Sequence, residues 1–128
     1  MTDENLPQGE LTLRTLAMPA DANPAGDIFG GWVMAQMDLA AGIRSAERAR
    51  GRVTTVAVKE IAFKLPVKVG DTLCIYTSIS RIGRTSMTLY VECWARRQYS
   101  DLREKVTDAS FVMVALDEAG RPREVSPD

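Results

Sequence analysis

The chain has 128 residues, 45% apolar and 26% charged, the size and balance of one globular domain rather than a disordered or membrane chain. Its formal net charge of −1, from 16 basic and 17 acidic residues, gives no global electrostatic basis for binding nucleic acid. It contains no histidine, which removes the Ser-His-Asp triad, the Cys-His pair and histidine-ligated metal centres; acid–base chemistry falls to carboxylates, Lys, Tyr, Cys or the backbone.

Met1–Glu10 is polar, carries Asp3 and Glu4, and has no apolar core of the kind a signal peptide needs. The longest weakly charged stretch, Ile28 to Ile43, is broken by Gly30, Gly31, Gln36, Asp38 and Gly42, and is shorter than the ~18 residues of a membrane span. Cys74 and Cys93 lack CxxC spacing and lie in strand-like runs, so they read as reduced and buried. The expectation is a cytoplasmic protein without a membrane segment.

In chain order, the first ten residues read as a loose arm. Leu11–Ala17 alternates, with Leu11, Leu13 and Thr15 on one side, and predicts a strand. Met18–Phe29, with Pro19, Asn23, Pro24 and Gly26, is a loop. A helix follows from Gly30 to about Arg50, with Asp27 placed to cap it or complement its dipole and Gly51 to stop it. Its first half is apolar nearly all round, which predicts burial on most sides, while Arg44 to Arg50 should emerge into solvent.

Four strands then follow. Val53–Phe63 is apolar on both faces for part of its length, and Lys64–Asp71 turns the chain at Pro66 and Gly70. Leu73, Ile75, Thr77 and Ile79 form one face of the next strand, and Ile82-Gly83-Arg84-Thr85 is a hairpin connection. Met87, Leu89, Val91, Cys93 and Ala95 alternate with polar residues, Val106–Leu116 forms the last strand, and Arg121–Asp128 reads as an extended tail. One helix and five antiparallel strands imply a single α+β domain, a curved sheet wrapped around a central helix.

Asp38 stands out as the one charged residue between Asp27 and Arg44. A carboxylate on an apolar helix is costly to bury unless paired. It is either a satisfied structural acid or a working one. Three features lie near it in sequence or chemistry. Gly30-Gly31 at the helix start offers open backbone N–H groups for an oxyanion, or merely close packing. Asn23 has an amide to orient water or a carbonyl, or is a turn former. Gly83-Arg84-Thr85-Ser86 joins a turn, a cation and two hydroxyls that suit a phosphate, or is an ordinary hairpin.

The run Leu13-Arg14-Thr15-Leu16-Ala17-Met18-Pro19, then Asp21, Asn23, Gly26-Asp27-Ile28-Phe29-Gly30-Gly31-Trp32 and Gln36-Met37-Asp38, resembles the YciA-like acyl-CoA thioesterases of the hot-dog superfamily. The match continues at Gly51-Arg52-Val53, Thr55-Val56-Ala57-Val58, Val69-Gly70-Asp71, Gly83-Arg84 and Thr107-Asp108-Ala109, covering about residues 10–124 of one hot-dog domain spanning 1–128. The resemblance implies hydrolysis of fatty acyl-CoA to free acid and coenzyme A, with no cofactor beyond the coenzyme A of substrate and product, and no metal. It implies Asp38 as general base or nucleophile, and Asn23, from a partner subunit, positioning water or thioester. Gly30, Gly31 and Thr55 would line the thioester pocket, and Gly83, Arg84, Thr85 and Ser86 would lie along coenzyme A. It further implies dimers with shared active sites, assembled as a trimer of dimers. Lys59 departs from the family pattern, where an acidic residue commonly follows the Thr-Val-Ala-Val run, and bears on local pocket charge and acyl preference. The alternative is a non-catalytic acyl-CoA-binding protein of the same fold; a hydratase is disfavoured because such enzymes often use an Asp–His pair.

Overall fold

The structure, a computed structural model, describes residues 6–127. Strand β1 (Glu10–Leu16) leads through a short 3-10 turn at Pro19–Asp21 to the helix α1 (Gly30–Ala49). Strands β2 (Val53–Lys59), β3 (Thr72–Ile82), β4 (Ser86–Arg96) and β5 (Arg103–Ala115) complete the chain. All pairings are antiparallel, in the order β1-β3-β4-β5-β2. This is one hot-dog domain, with the helix seated on the concave face of a five-stranded sheet.

The alternation of β4 maps directly onto the core: Met87, Leu89, Val91, Cys93 and Ala95 are fully buried. They meet Val33, Met37, Ala40 and Ala41 from the helix, where burial of each large side chain stabilises by roughly 1.5–3 kcal/mol. Cys74 and Cys93 are buried and free, as expected. Burial pushes the Cys93 thiol well up, with Cys74 adding to it, so it is packed as an apolar side chain.

Several expectations are corrected. The sheet covers only one stripe of α1, so the helix is not enclosed: Leu39 and Ile43 remain 54% and 44% exposed. Five strands of one chain do not reach around a full turn of apolar residues. The second half does not simply emerge into solvent, since Ser45 and Ala49 are buried and Arg44 donates to the Thr77 carbonyl while pairing with Glu10. Helix termination falls to Arg50, in the left-handed conformation (φ 57°), rather than to Gly51. Strand β2 stops at Lys59, four residues early, because Glu60 turns into the left-handed region. In β1 an extra residue between Leu11 and Leu13 shifts the register, so Leu11 pairs with Tyr76 while Leu13 and Thr15 pair with Ile75 and Leu73. That bulge puts Leu11 on the opposite face from Leu13.

Both ends of the described chain dock. Residues 1–5 of the expected loose arm lie outside the described residues, but the Gln8 backbone N–H donates to Glu92. The tail folds back as well: the Val125 N–H donates to the Arg84 carbonyl, and Val125 is buried. The chain is turned into β3 by Gly70 (φ +94°), where a side chain would also strike Gln98. Beside it, buried Asp71 accepts from the Lys68 N–H at 2.9 Å and from Arg97 Nη1 at 2.6 Å, and Arg97 Nε donates to Glu104 at 3.0 Å.

The convex face carries a second network. Buried Glu92 accepts from Trp94 Nε1 at 3.0 Å and pairs with Lys105, which in turn lies 2.7 Å from Asp108. Partial burial pushes the Asp108 carboxyl up, but the Lys105 ammonium bonded to it, with Lys64 nearby, outweighs this and holds it below its ordinary value. A lowered native value means that this carboxylate's stabilisation is complete above the unfolded value and is lost as pH falls through the native one. In acid unfolding followed by circular dichroism, Asp108→Asn should therefore lose less stability than the parent between about pH 4 and pH 2. Equal losses would show that Asp108 carries no net pairing energy.

Candidate active site

Gly31, Met34, Ala35 and Asp38 follow one line along α1 at three- and four-residue spacing. Strand β2 meets this line through an irregularity. Its register with β5 slips between Thr55 and Ala57, so that Thr55 pairs with Met113 and Val58 with Phe111. Met113 and Phe111 are both core residues. The bulge thus turns both Thr55 and Val58 toward the helix side of the sheet. Together these residues line a pocket of about 290 Å³ walled by Met34, Ala35, Val58 and Phe111, with Asp38 and Thr55 as its polar pair.

Within it, Thr55 Oγ1 donates to Asp38 Oδ1 at 2.5 Å. Asp38 is exposed, so the desolvation problem raised by its apolar neighbours does not arise in the single chain. The threonine fixes the carboxylate's orientation, and the second oxygen, Oδ2, accepts no hydrogen bond among the described residues.

The start of the helix is open. Its N-cap is Phe29, which has no side-chain acceptor, and the Phe29 carbonyl takes the Trp32 and Val33 N–H groups. The N–H groups of Gly30 and Gly31 have no acceptor among the described residues. Asp27 does not cap: its carboxylate pairs with Lys68. The seven-residue step from Gly31 to Asp38 rises about 10 Å. The backward tilt of the Asp38 side chain shortens that gap, leaving space of the order of a thioester carbonyl and one water.

The other candidates lie apart from this pocket. Asn23 Oδ1 accepts the N–H groups of Ala25 (3.0 Å) and Asp27 (3.1 Å). Two donors on one atom identify it as the oxygen, so the amino group is left with no hydrogen bond among the described residues. The turn-forming role is therefore present, and it presents a donor outward. Gly83 to Ser86 closes the β3–β4 hairpin through the Gly83 N–H to the Ser86 carbonyl at 2.8 Å. There Arg84 is highly exposed, 4.0 Å from Glu124, and Lys59 is exposed at the end of β2. Helical spacing places Met34 beside Asp38 from sequence alone; Ala35, Val58 and Phe111 carry no such signal, and only strand register brings the last two to Asp38. Among the described residues, no group of three or more acidic or cysteine side chains is arranged to hold a metal ion. None of the described helices is long and apolar enough to cross a membrane.

Residues 25–100 match the family model described as the thioesterase superfamily. An acyl-CoA thioester hydrolase YciA of Salmonella typhimurium is 50% identical over 125 residues, covering 95% of this chain and 94% of the relative. The chain belongs to the thioesterase superfamily, in its YciA-like branch. Among solved structures, a hexameric thioesterase from Yersinia pestis superposes with TM-score 0.93 at 48% identity, covering 96% of this chain and 100% of that one. A hexameric broad specificity acyl-coenzyme A thioesterase, solved as an aspartate-to-alanine mutant, gives 0.91 at 45% identity, over 94% of this chain and 89% of that one. An acyl-CoA hydrolase from Staphylococcus aureus, in complex with butyryl coenzyme A and coenzyme A, gives 0.82 at 28% identity, over 88% and 69%. That hydrolase has also been solved as asparagine-to-alanine and threonine-to-alanine mutants.

Proposed function

We propose that the protein hydrolyses acyl-CoA thioesters to a free acid and coenzyme A. The observation that carries this reading is the Thr55-oriented Asp38 carboxylate in an apolar-walled pocket that begins at open helix N–H groups. The relatives add support: each is named for acyl-CoA or thioester hydrolysis, and the residue types mutated in them (Asp, Asn, Thr) are those of the candidate set.

Asp38 Oδ2 takes a proton from water as that water attacks the thioester carbonyl. The Gly30 and Gly31 N–H groups, at the positive end of α1, receive the charge that develops on oxygen. A thiolate leaves readily, so no strong acid is required, and a chain without histidine suffices. No cofactor takes part; coenzyme A enters as substrate and leaves as product, with the exposed Arg84 and the hydroxyls of Thr85 and Ser86 suited to its phosphates. Release of free thiol from a panel of acyl-CoAs tests the reading. A non-catalytic binder would bind the panel and liberate none.

The site is completed by a second copy. Strand β2 is a sheet edge, Val56 is 55% exposed, and Leu39 and Ile43 stand out on the helix, surface that a partner of the same kind would cover. Asn23, outside the Asp38 pocket of its own chain, would enter the partner's. Asn23→Ala and Asp38→Asn proteins should each be inactive alone and regain measurable turnover when dissociated, mixed and reassembled, because one site of a mixed dimer holds both native residues. If both residues served the same chain's site, mixing would restore nothing.

A further inference from the structure

A second cleft opens beside the first at the helix start, and the hydrolysis reading leaves it without a role. It has a volume of about 330 Å³, with Ile28, Val33, Phe63, Leu65, Pro66 and Val67 as its apolar wall and Gly30 at its edge. Its one charged lining residue, Lys64, lies 3.6 Å from Asp108. The two clefts are thus entered from consecutive residues, Gly30 here and Gly31 in the Asp38 pocket. A thioester carbonyl bound by these N–H groups has two substituents. If water attacks from the Asp38 pocket, one substituent can pass into the neighbouring cleft, and its largely apolar wall suits the acyl chain.

Phe63 is the one aromatic residue lining this cleft. The segment that carries it is pinned on both sides: Thr107 donates to the Ala62 carbonyl at 2.7 Å, the Lys64 N–H to Val106 at 2.8 Å, and the Ile28 N–H to Val67 at 3.1 Å. Between these anchors the Phe63 ring is directed over Gly30, and a Cβ at position 30 would stand 3.4 Å from it. The ring packs at ordinary van der Waals distance over the helix start while remaining 46% exposed.

We infer that this cleft takes the acyl chain and that Phe63 sets the chain length accepted. The inference rests on the hydrolase reading, and its test separates the two. Initial rates of thiol release are measured for acetyl-, butyryl-, octanoyl- and palmitoyl-CoA with the parent, Phe63→Ala and Phe63→Trp. Truncation should raise the palmitoyl-to-butyryl ratio of kcat/KM by about tenfold, and the larger ring should lower it by a similar factor, in the range that apolar pockets discriminate. The change should fall mainly on KM, because Phe63 touches no reacting atom. Superimposable length profiles from all three proteins, with the parent active, would overturn the inference and leave the hydrolase reading intact. Should the parent release no thiol, titration calorimetry with the same acyl-CoAs decides the matter: Kd must fall with chain length more steeply for Phe63→Ala than for the parent. Parallel dependences would overturn the assignment of the cleft.

Discussion

Asp38→Asn is expected to lower kcat/KM for acyl-CoA hydrolysis by about 10²- to 10⁴-fold, the usual contribution of a positioned general base. The side chain is exposed and its one hydrogen bond within the described residues is to Thr55. The fold should therefore keep its stability to within about 0.5 kcal/mol, as surface substitutions commonly do. An asparagine can still accept from Thr55 Oγ1, so the geometry survives while the base is lost. Thr55→Val should give a smaller deficit, expressed in kcat, because the carboxylate remains but loses its fixed orientation. Steady-state kinetics with a butyryl-CoA substrate, paired with thermal unfolding of each variant, separates the two effects. Undiminished turnover by folded Asp38→Asn protein would remove Asp38 from the mechanism.

Asp71→Ala should produce the largest loss of stability among single polar substitutions, about 3–5 kcal/mol, without touching the chemistry. Asp71 is buried and holds three donors at once: the Lys68 N–H, Arg97 Nη1 and the Gln98 N–H at 3.3 Å. Removing the carboxylate leaves a guanidinium with only 18% of its side chain exposed beside orphaned backbone N–H groups. Burial works against the Arg97 charge, yet its bonds to Asp71 and Glu104 more than offset this and raise its pKa. A guanidinium does not give up its proton in a protein, so the charge stays on when Asp71 is removed. A fall in Tm on the order of 10 °C is expected. Activity per folded molecule should persist below the transition, since Asp71 does not line the Asp38 pocket. A Tm unchanged within error would show that the buried pair contributes little beyond what an apolar side chain would.

The parts of the fold legible in sequence are those in which pattern and environment agree residue by residue. β4 is the clearest case, because every odd position from Met87 to Ala95 is apolar and every one is buried. The helix was legible as an element but not in its surroundings. Composition shows that Leu39 and Ile43 need cover, and cannot show that the cover is absent within one chain. The bulges in β1 and β2 left no local signature, since one extra residue changes which side chains face inward without changing composition. The family resemblance therefore assigns a pocket role to Thr55, whereas Val58, in the same matching run, and Phe111 take their places only through the register. Asp38 was legible for the opposite reason. A lone charge among apolar residues breaks the pattern, and such breaks mark places where something other than packing is being served.

The uncapped start of α1 limits how this protein can be stabilised. A serine, threonine or aspartate in place of Phe29 is the conventional improvement at such a position, worth about 0.5–2 kcal/mol. Here the improvement would set a permanent acceptor against N–H groups that the proposed reaction needs vacant until charge appears on the substrate. Thermal robustness and turnover would then move in opposite directions at this one residue. A search for hardier variants should leave the helix entrance alone and work on the convex face.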